Sequence, residues 1–374
     1  MDAVAILFWL SVVLLVYTHA GYPLTLWALT RFKRTPPVRI GGELPSVSLV
    51  VAAYNEEDVI AAKVRNALEL DYPRERLQVI VASDGSTDRT AALAREAGAD
   101  VVLELPRSGK VLAQDAAVER GSGEILAFSD ANSMWAPDAL QRLVTPFADP
   151  EVGYVCGQVR FTRTAGGTNE EGAYWRHEMA VRALESRLAG ITAGNGAIYA
   201  LRRDDYVAGD RFTSDLSLPF KTVKRGLRPI YAAGAVAEER MVPTTEGEFR
   251  RKRRMMSRAW GTIVHSGMMS PRGYTPLYAF ELFSHRLLRY ASAFLHLVAL
   301  TTNVALIGQG WIYVVTLAAQ GILLGLAALG PIVQARPVQL AYYYVLVTAS
   351  IAAGLWDWVR HGMPHTWEKA EGTR

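Results

Sequence analysis

The stretch Glu124–Trp135, EILAFSDANSMW, decides how the chain is interpreted. An apolar run ends there in Asp130-Ala131-Asn132, which places an acidic and an amide side chain at the end of a strand. Carboxylate and amide oxygens are ligands of hard divalent cations, and such an ion would in turn bind a diphosphate. Asp and Asn are also common in turns that cap a following helix, so the triplet alone leaves both interpretations open.

Long uncharged segments lie on both sides of a polar middle. The chain has 374 residues, and no Asp, Glu, Lys or Arg occurs in residues 3–30, 291–335 or 337–356. Because a membrane-spanning helix needs about 20 mostly apolar residues, the sequence predicts an integral membrane protein with one span before and three spans after the polar region. A cleaved signal peptide is the alternative for the first segment, but basic residues follow it rather than precede it, which favours a retained anchor.

These patterns divide the chain into five expected parts. They are a transmembrane anchor at residues 1–34, a cytoplasmic domain at 35–245, interfacial amphipathic helices at 246–290, three transmembrane segments at 291–360 and a tail at 361–374.

Basic residues set the expected orientation. Arg31, Lys33 and Arg34 follow the first apolar segment, and by the positive-inside rule they place the middle region in the cytoplasm of a multi-pass cell-membrane protein. The single cysteine, Cys156, agrees, since one thiol cannot form an internal disulfide. The five basic residues at 250–254 are interpreted as a membrane-surface or phosphate-binding segment, and no nucleic-acid partner is expected.

Four strand-then-helix units follow one another in the middle region. Such a series predicts an α/β fold with a doubly wound sheet, in which ligands bind beyond the carboxyl ends of the strands. The polar residues that follow the strands are therefore expected to meet in one crevice; they are Tyr54-Asn55-Glu56, Asp84, Lys110 and Asp130. Neither GxGxxG nor GxxxxGK followed by Ser or Thr occurs, which argues against a dinucleotide fold or a P-loop.

The motifs AAYNEE, ASDGSTD, a Gly-Lys pair before a helix, and FSDAN occur in this order. In order and spacing they resemble the nucleotide-sugar-binding half of the family-2 inverting glycosyltransferases. GNGAIY at 194–199, FSHRLLRY at 283–290 and Trp-Glu-Lys at 367–369 extend the resemblance along the chain. It is closest to the membrane-embedded branch of cellulose, hyaluronan and poly-N-acetylglucosamine synthases, and it implies a glycosyltransferase A-type fold flanked by transmembrane helices.

The resemblance also implies a donor site for a UDP-sugar. Asp84 would hydrogen-bond the uracil or ribose, and the Ala53-Tyr54-Asn55-Glu56 turn would wall the base. Lys110 would reach a phosphate, although it could instead solvate a helix start. Asp130 and Asn132 would bind Mg²⁺ or Mn²⁺; the family's usual residue at the second position is Asp, so either direct or water-mediated binding by Asn132 is open.

Two further residues are implied as catalytic. Asp215 matches the second acid of the family's acidic pair, whose first acid is replaced here by Ser214. It would take the proton of the acceptor hydroxyl, although it could also cap a helix. Arg254 is the preferred match to the family's QxxRW arginine, which stabilises the leaving diphosphate, and Arg258 is the second choice because both Gln and Trp are missing.

Aromatic, His and acidic residues outside these motifs have ordinary interpretations. Trp135, Tyr174 and Trp175 are either core residues or platforms for an acceptor sugar. His177, Glu178 and His285 are interpreted as structural, and residues 281–290 as an amphipathic helix on the membrane.

The leading hypothesis is transfer from a UDP-sugar to a growing polysaccharide or other glycan at the membrane. The alternatives are transfer of one sugar to a polyprenyl phosphate or other lipid, and a non-catalytic nucleotide-sugar-binding assembly subunit. Further expected partners are membrane lipids, and an export partner or a second copy of the chain. Four spans would leave Arg360, Lys369 and Arg374 outside, against the usual bias, so one segment is expected to be re-entrant or interfacial.

Overall fold

The computed structural model describes residues 2–33, 38–162, 170–210, 212, 214–240 and 245–363; for 170–174, 214 and 245 it describes the backbone alone. The middle region contains one eight-stranded sheet. Its strands are β1 (Val47–Ala53), β2 (Leu77–Asp84), β3 (Val101–Leu105), β4 (Ile125–Asp130), β5 (Met134–Trp135), β6 (Val152–Thr162), β7 (Ile198–Arg202) and β8 (Arg228–Arg240).

The strand order is β3-β2-β1-β4-β7-β6-β8-β5. Strands β1 to β4 are parallel neighbours, as the strand-then-helix pattern predicts. Strand β7 then runs antiparallel to both β4 and β6. The result is a mixed sheet, in which the predicted parallel half forms one end.

Helices cover the sheet and extend from it. In the middle region they are α3 (Ile60–Leu68), α4 (Thr90–Glu96), α5 (Lys110–Arg120), α6 (Ala139–Val144), α7 (Glu170–Ser186), α8 (Ser214–Lys224) and α9 (Thr245–His265). The apolar ends hold α1 (Ala3–Val16), α2 (Tyr22–Phe32), α10 (Pro276–Leu282), α11 (Leu288–Leu306), α12 (Trp311–Leu329) and α13 (Arg336–His361).

The central strands are buried on both faces. Leu49 of β1 and Ala127 of β4 face one core cluster, whereas Val50 of β1 and Phe128 of β4 face a second. A strand with two buried faces must be apolar at successive positions, which is why residues 47–53 form a continuous apolar run. Fully burying one such large side chain stabilises the fold by about 1.5–3 kcal/mol, so these strands contribute strongly to the stability of the sheet.

Within the described residues, four helical stretches are long and apolar enough to cross a membrane, judged by length and composition. They are Ala3–Phe32, Pro276–Gln309, Trp311–Leu329 and Arg336–His361. The first and second contain π-helical turns, at Tyr17–Gly21 and Phe283–Leu287. Tyr22 of α2 and Phe280 of α10 pack in one cluster with Val181 of α7, which joins both stretches to the middle region. Residues 281–290, expected to form an amphipathic helix on the membrane before the next span, lie within the helical stretch Pro276–Gln309.

Candidate active site

Asp84 is fully buried at the end of β2. Its carboxylate accepts hydrogen bonds from the backbone N–H groups of Ser108 (2.6 Å) and Gly109 (3.0 Å). Gly109 has φ of 101°, a conformation that favours glycine, and Lys110 begins α5 directly after it. Asp84 therefore fixes the loop that delivers Lys110; its contact with a base or ribose stays a prediction.

The turn after β1 is braced by its neighbours. Asn55 has φ of 52°, and its side-chain oxygen accepts from the N–H of Thr87 at 2.8 Å. The Arg107 guanidinium lies 3.0 Å from the centre of the Tyr54 ring. Glu56 is almost fully buried and lines the central cleft. Ala53 is the last residue of β1 and is buried in the core. Of the four residues Ala53–Glu56, only Glu56 lines the described part of the cleft.

The loop after β4 carries Asp130 and Asn132, and both line the cleft. The ammonium group of Lys110 forms an ion pair with the Asp130 carboxylate. Lys63, which has no exposed surface, donates to the backbone oxygen of Ser133 at 2.6 Å and so supports the loop from below. Burial lowers the pKa of Lys63 to about 7, against the opposing effect of Asp130.

A second loop, immediately before β7, lies against the first because β7 is antiparallel to β4. Asn195 holds it: its amide nitrogen donates to Gly157 O at 2.8 Å, and its oxygen accepts from Ile198 N at 2.9 Å. A Cβ on Gly196 would lie 3.1 Å from Lys110 Nζ. A side chain at residue 196 would therefore push the Lys110 ammonium group by a few tenths of an ångström, out of its present position beside Asp130.

Asp215 lies in the first turn of α8 and lines the same cleft. Its backbone oxygen accepts from Gly194 N at 2.7 Å, which ties α8 to the loop before β7. Among the residues described, no hydrogen bond or ion pair reaches its carboxylate, which is therefore available to a ligand.

Both candidate arginines of α9 line the cleft. Arg258 has a buried Nε without a hydrogen-bond partner in the described part of the chain. Burial lowers the pKa of Arg258, while the Asp215 carboxylate raises it. A buried cationic side chain with an unsatisfied N–H group is costly, and an anion bound in the cleft beside Arg258 would offset that cost.

The cleft has a volume of about 430 Å³ and unites residues from both halves of the sheet with the apolar helices. Its described lining contains nine basic and five acidic residues, so it favours a polyanionic ligand. Tyr290 of α11 and Val347, Ser350 and Ile351 of α13 form its floor.

A family model described as "Glycosyl transferase family 2" matches residues 48–209. Residues 48–209 are a family 2 glycosyltransferase domain. This domain supplies Asp84, Lys110, Asp130 and Asn132, whereas Asp215 and the α9 arginines lie beyond it.

Curated relatives of the glycosyltransferase domain differ in name. The N-acetylglucosaminyltransferase of Rhizobium meliloti (strain 1021) is 28% identical over 265 residues, which cover 64% of this chain and 61% of the relative. The beta-monoglucosyldiacylglycerol synthase of Nostoc sp. (strain PCC 7120 / SAG 25.82 / UTEX 2576) is 35% identical over 203 residues, covering 49% and 42%. The chain thus spans less than two thirds of either relative.

A solved structure matches along almost the whole chain. The mannosyltransferase PcManGT from Pyrobaculum calidifontis, in complex with GDP-Man and Mn²⁺, has a TM-score of 0.74 and 24% identity, covering 94% of this chain and 98% of that one. This likeness establishes the glycosyltransferase A-type fold.

The glycosyltransferase site offers few protein ligands to a metal ion. Among the described residues no group of three or more His, Cys, Asp or Glu side chains is arranged to hold one. Asp130 and Asn132 supply one carboxylate and one amide oxygen. That set fits Mg²⁺ or Mn²⁺ held jointly with diphosphate oxygens and water, since Mg²⁺ in nucleotide sites takes few protein ligands.

A buried charge cluster on α7 was not anticipated at the glycosyltransferase site. Glu178, interpreted from sequence as structural, lines the cleft and accepts from Arg286 at 2.9 Å and Arg289 at 2.6 Å. His285 Nε2 lies 3.2 Å from the same carboxylate. Burial alone would raise the pKa of Glu178, but Arg286 and His285 hold it well below its ordinary value.

The cluster's partners are about a hundred residues apart in sequence, so no local pattern could reveal it. In the sequence, only the FSHRLLRY motif, which contains His285, Arg286 and Arg289, indicated it.

The three aromatic residues considered from the sequence differ in position. Trp135 is a core residue and Trp175 lines the cleft, whereas the side chain of Tyr174 lies outside the described residues.

Proposed function

We propose that the chain transfers a sugar from a UDP-sugar, with inversion at the anomeric carbon, to an acceptor at the cytoplasmic face of the membrane. The observation that carries this proposal is the single cleft that joins Asp130, Asp215 and Arg258 above a floor of apolar helices. The family 2 domain supports the use of a nucleotide-sugar donor.

Six polar or charged residues of the cleft are assigned roles in this reaction. Asp215 takes the proton of the acceptor hydroxyl while that oxygen bonds to the anomeric carbon. The bond from the anomeric carbon to the diphosphate oxygen breaks on the opposite face, and the electron pair leaves with the nucleoside diphosphate. Arg254, Arg258 and Lys110 bind the departing anion. A Mg²⁺ or Mn²⁺ ion held by Asp130 and Asn132 would neutralise diphosphate charge.

The floor of the cleft favours a lipid-linked acceptor, such as a polyprenyl phosphate. Val347 and Ile351 are apolar and belong to a helix that also packs against the apolar helices, so a lipid chain can remain in the bilayer while its polar end enters the cleft. A growing polysaccharide is the second candidate. Trp175 favours it, because an aromatic ring in the wall of the cleft can stack on a sugar.

Asp215→Asn tests the enzyme assignment. Loss of the base is expected to reduce sugar transfer by about 10²–10⁴-fold while UDP binding is retained. The matched control is Asp204→Asn, which changes an exposed carboxylate outside the cleft. The assay supplies a panel of radiolabelled UDP-sugars to purified protein in lipid and separates lipid-linked from glycan products. Unchanged transfer by Asp215→Asn would refute its role, and nucleotide binding with no transfer by the wild type would favour the assembly-subunit alternative.

A further inference from the structure

Helix α13 is apolar enough to cross a bilayer, but its contacts place its second half beside the catalytic region. Trp260 of α9 donates its ring N–H to the backbone oxygen of Ile351 at 3.0 Å. Arg253 of α9 binds the Asp357 carboxylate with two nitrogens, at 2.5 and 2.6 Å. The 250–254 basic run belongs to α9, so this contact surface is in water or the headgroup region rather than in hydrocarbon.

The backbones of α9 and α13 approach each other closely. A Cβ on Gly354 would lie 2.5 Å from the Met256 side chain and 2.8 Å from the backbone nitrogen of Ser257. The end of α13 is held as well, since a Cβ on Gly261 would lie 3.2 Å from the Trp358 ring nitrogen. The last two turns of α13 are therefore fixed to α9.

The first half of α13 lies on the same side. Helix α12 begins at the far end of the helical bundle, where Tyr313 packs with Phe8 and Leu306. Its 19 residues rise about 28 Å, enough for one crossing. Tyr342 of α13 lies against Gly330, immediately after α12. Because α12 runs back across the bilayer to the catalytic side, α13 starts on the catalytic side.

Two histidines of the other apolar helices meet the same part of α13. The Tyr344 hydroxyl lies 2.6 Å from His296 Nε2 and 3.1 Å from His19 Nε2. Both histidines lie on the catalytic side of Phe8 and Leu306 along their own helices, which agrees with the position of Tyr342.

The exposed face of α13 has the chemistry of a bilayer surface. Trp356 and Val359 are more than half exposed, and the Arg360 guanidinium lies 4.2 Å from the centre of the Trp356 ring. Tryptophan beside a basic residue is typical of the headgroup level, where the ring is partly buried and the charge stays in water.

We infer that α13 does not cross the bilayer: both of its ends lie on the side of the catalytic domain, and its Trp356–Arg360 face contacts the lipid headgroups of that leaflet. The chain then has three spans, which contain α1, α11 and α12. Arg360 then lies on the catalytic side, which removes its conflict with the positive-inside rule.

The buried single cysteine makes a labelling test direct, because the wild type supplies a background without a reactive thiol. Three single substitutions introduce an exposed cysteine: His361→Cys at the end of α13, Glu119→Cys on the catalytic domain and Gly308→Cys in the turn between α11 and α12. Sealed vesicles of uniform orientation are treated with a membrane-impermeant maleimide before and after permeabilisation.

His361→Cys is expected to label under the same condition as Glu119→Cys and the opposite condition to Gly308→Cys. Labelling of His361→Cys together with Gly308→Cys, and apart from Glu119→Cys, would show that α13 crosses and would overturn the inference. The readout does not involve sugar transfer, so its result is independent of the proposed activity.

Discussion

Replacement of Lys63 by Met should change how stability depends on pH. Lys63 is fully buried, and desolvation lowers its pKa from 10.5 to about 7, opposed by Asp130 and Glu239. The folded-state pKa lies below the unfolded one, so between these values the unfolded chain binds more protons and the free energy of unfolding rises with pH. Each pH unit in this window contributes about 1.36 kcal/mol. From pH 6 to 8.5 the contribution of Lys63 should rise by about 2 kcal/mol.

Lys63→Met removes this dependence. The variant also loses the hydrogen bond to Ser133, which costs about 1–3 kcal/mol at every pH, so the slope rather than the offset is decisive. Thermal midpoints of the detergent-solubilised protein at pH 6 and 8.5 should show wild type gaining about 2–3 °C relative to Lys63→Met, given the unfolding entropy of a chain of 374 residues.

Arg65→Met is the matched control, because Arg65 is an exposed cation on the same helix. Arginine side chains stay charged throughout this pH range, so the control should follow the wild type. Parallel changes in the midpoints of wild type and Lys63→Met would refute the desolvation of Lys63. The supported loop carries Asp130 and Asn132, the proposed metal ligands, so Lys63→Met should also lower sugar transfer.

Two further changes test the centre of the cleft. Gly196→Ala places a methyl group 3.1 Å from Lys110 Nζ and should lower kcat/KM by about tenfold in transfer assays. The control is Gly308→Ala, which has open space around its Cβ and should leave kcat/KM unchanged. Equal kcat/KM values for the two variants would contradict the close approach of Gly196 to Lys110. Asn132→Asp adds a carboxylate beside Asp130 and should lower, by severalfold, the Mg²⁺ or Mn²⁺ concentration that gives half-maximal sugar transfer. An unchanged metal titration would show that residue 132 does not contact the ion.

The sequence predicts best those features that depend on local pattern. Strand β1 coincides with the apolar run of residues 47–53, because a strand buried on both faces is apolar at successive positions. Strand β2 includes the polar pair Ser83-Asp84 at its end, because these two residues still pair with β3. The parallel half and its crevice were therefore predictable from periodicity and turn residues.

Features that depend on distant contacts were not predictable. The antiparallel placement of β7 brings Gly196 next to Asp130, but nothing in residues 198–202 specifies their neighbour. Lys63 has the sequence appearance of a solvated lysine on an amphipathic helix, and only the fold shows its burial beneath Ser133. Asp84 was expected at a ligand surface; in the structure its carboxylate is occupied by the Lys110 loop, a backbone contact that residue identity does not encode.

The charge cluster on α7 limits how the protein can be shortened. Glu178 and Glu185 take their cationic partners, Arg286 and His285, from the stretch that continues into the apolar helices. A truncation that stopped at the soluble part would strip both carboxylates of these partners, and an abandoned buried charge typically costs about 3–5 kcal/mol. Crystallisation or screening of an excised water-soluble fragment would therefore begin from a damaged protein, and detergent or nanodisc preparations of the intact chain are the appropriate material.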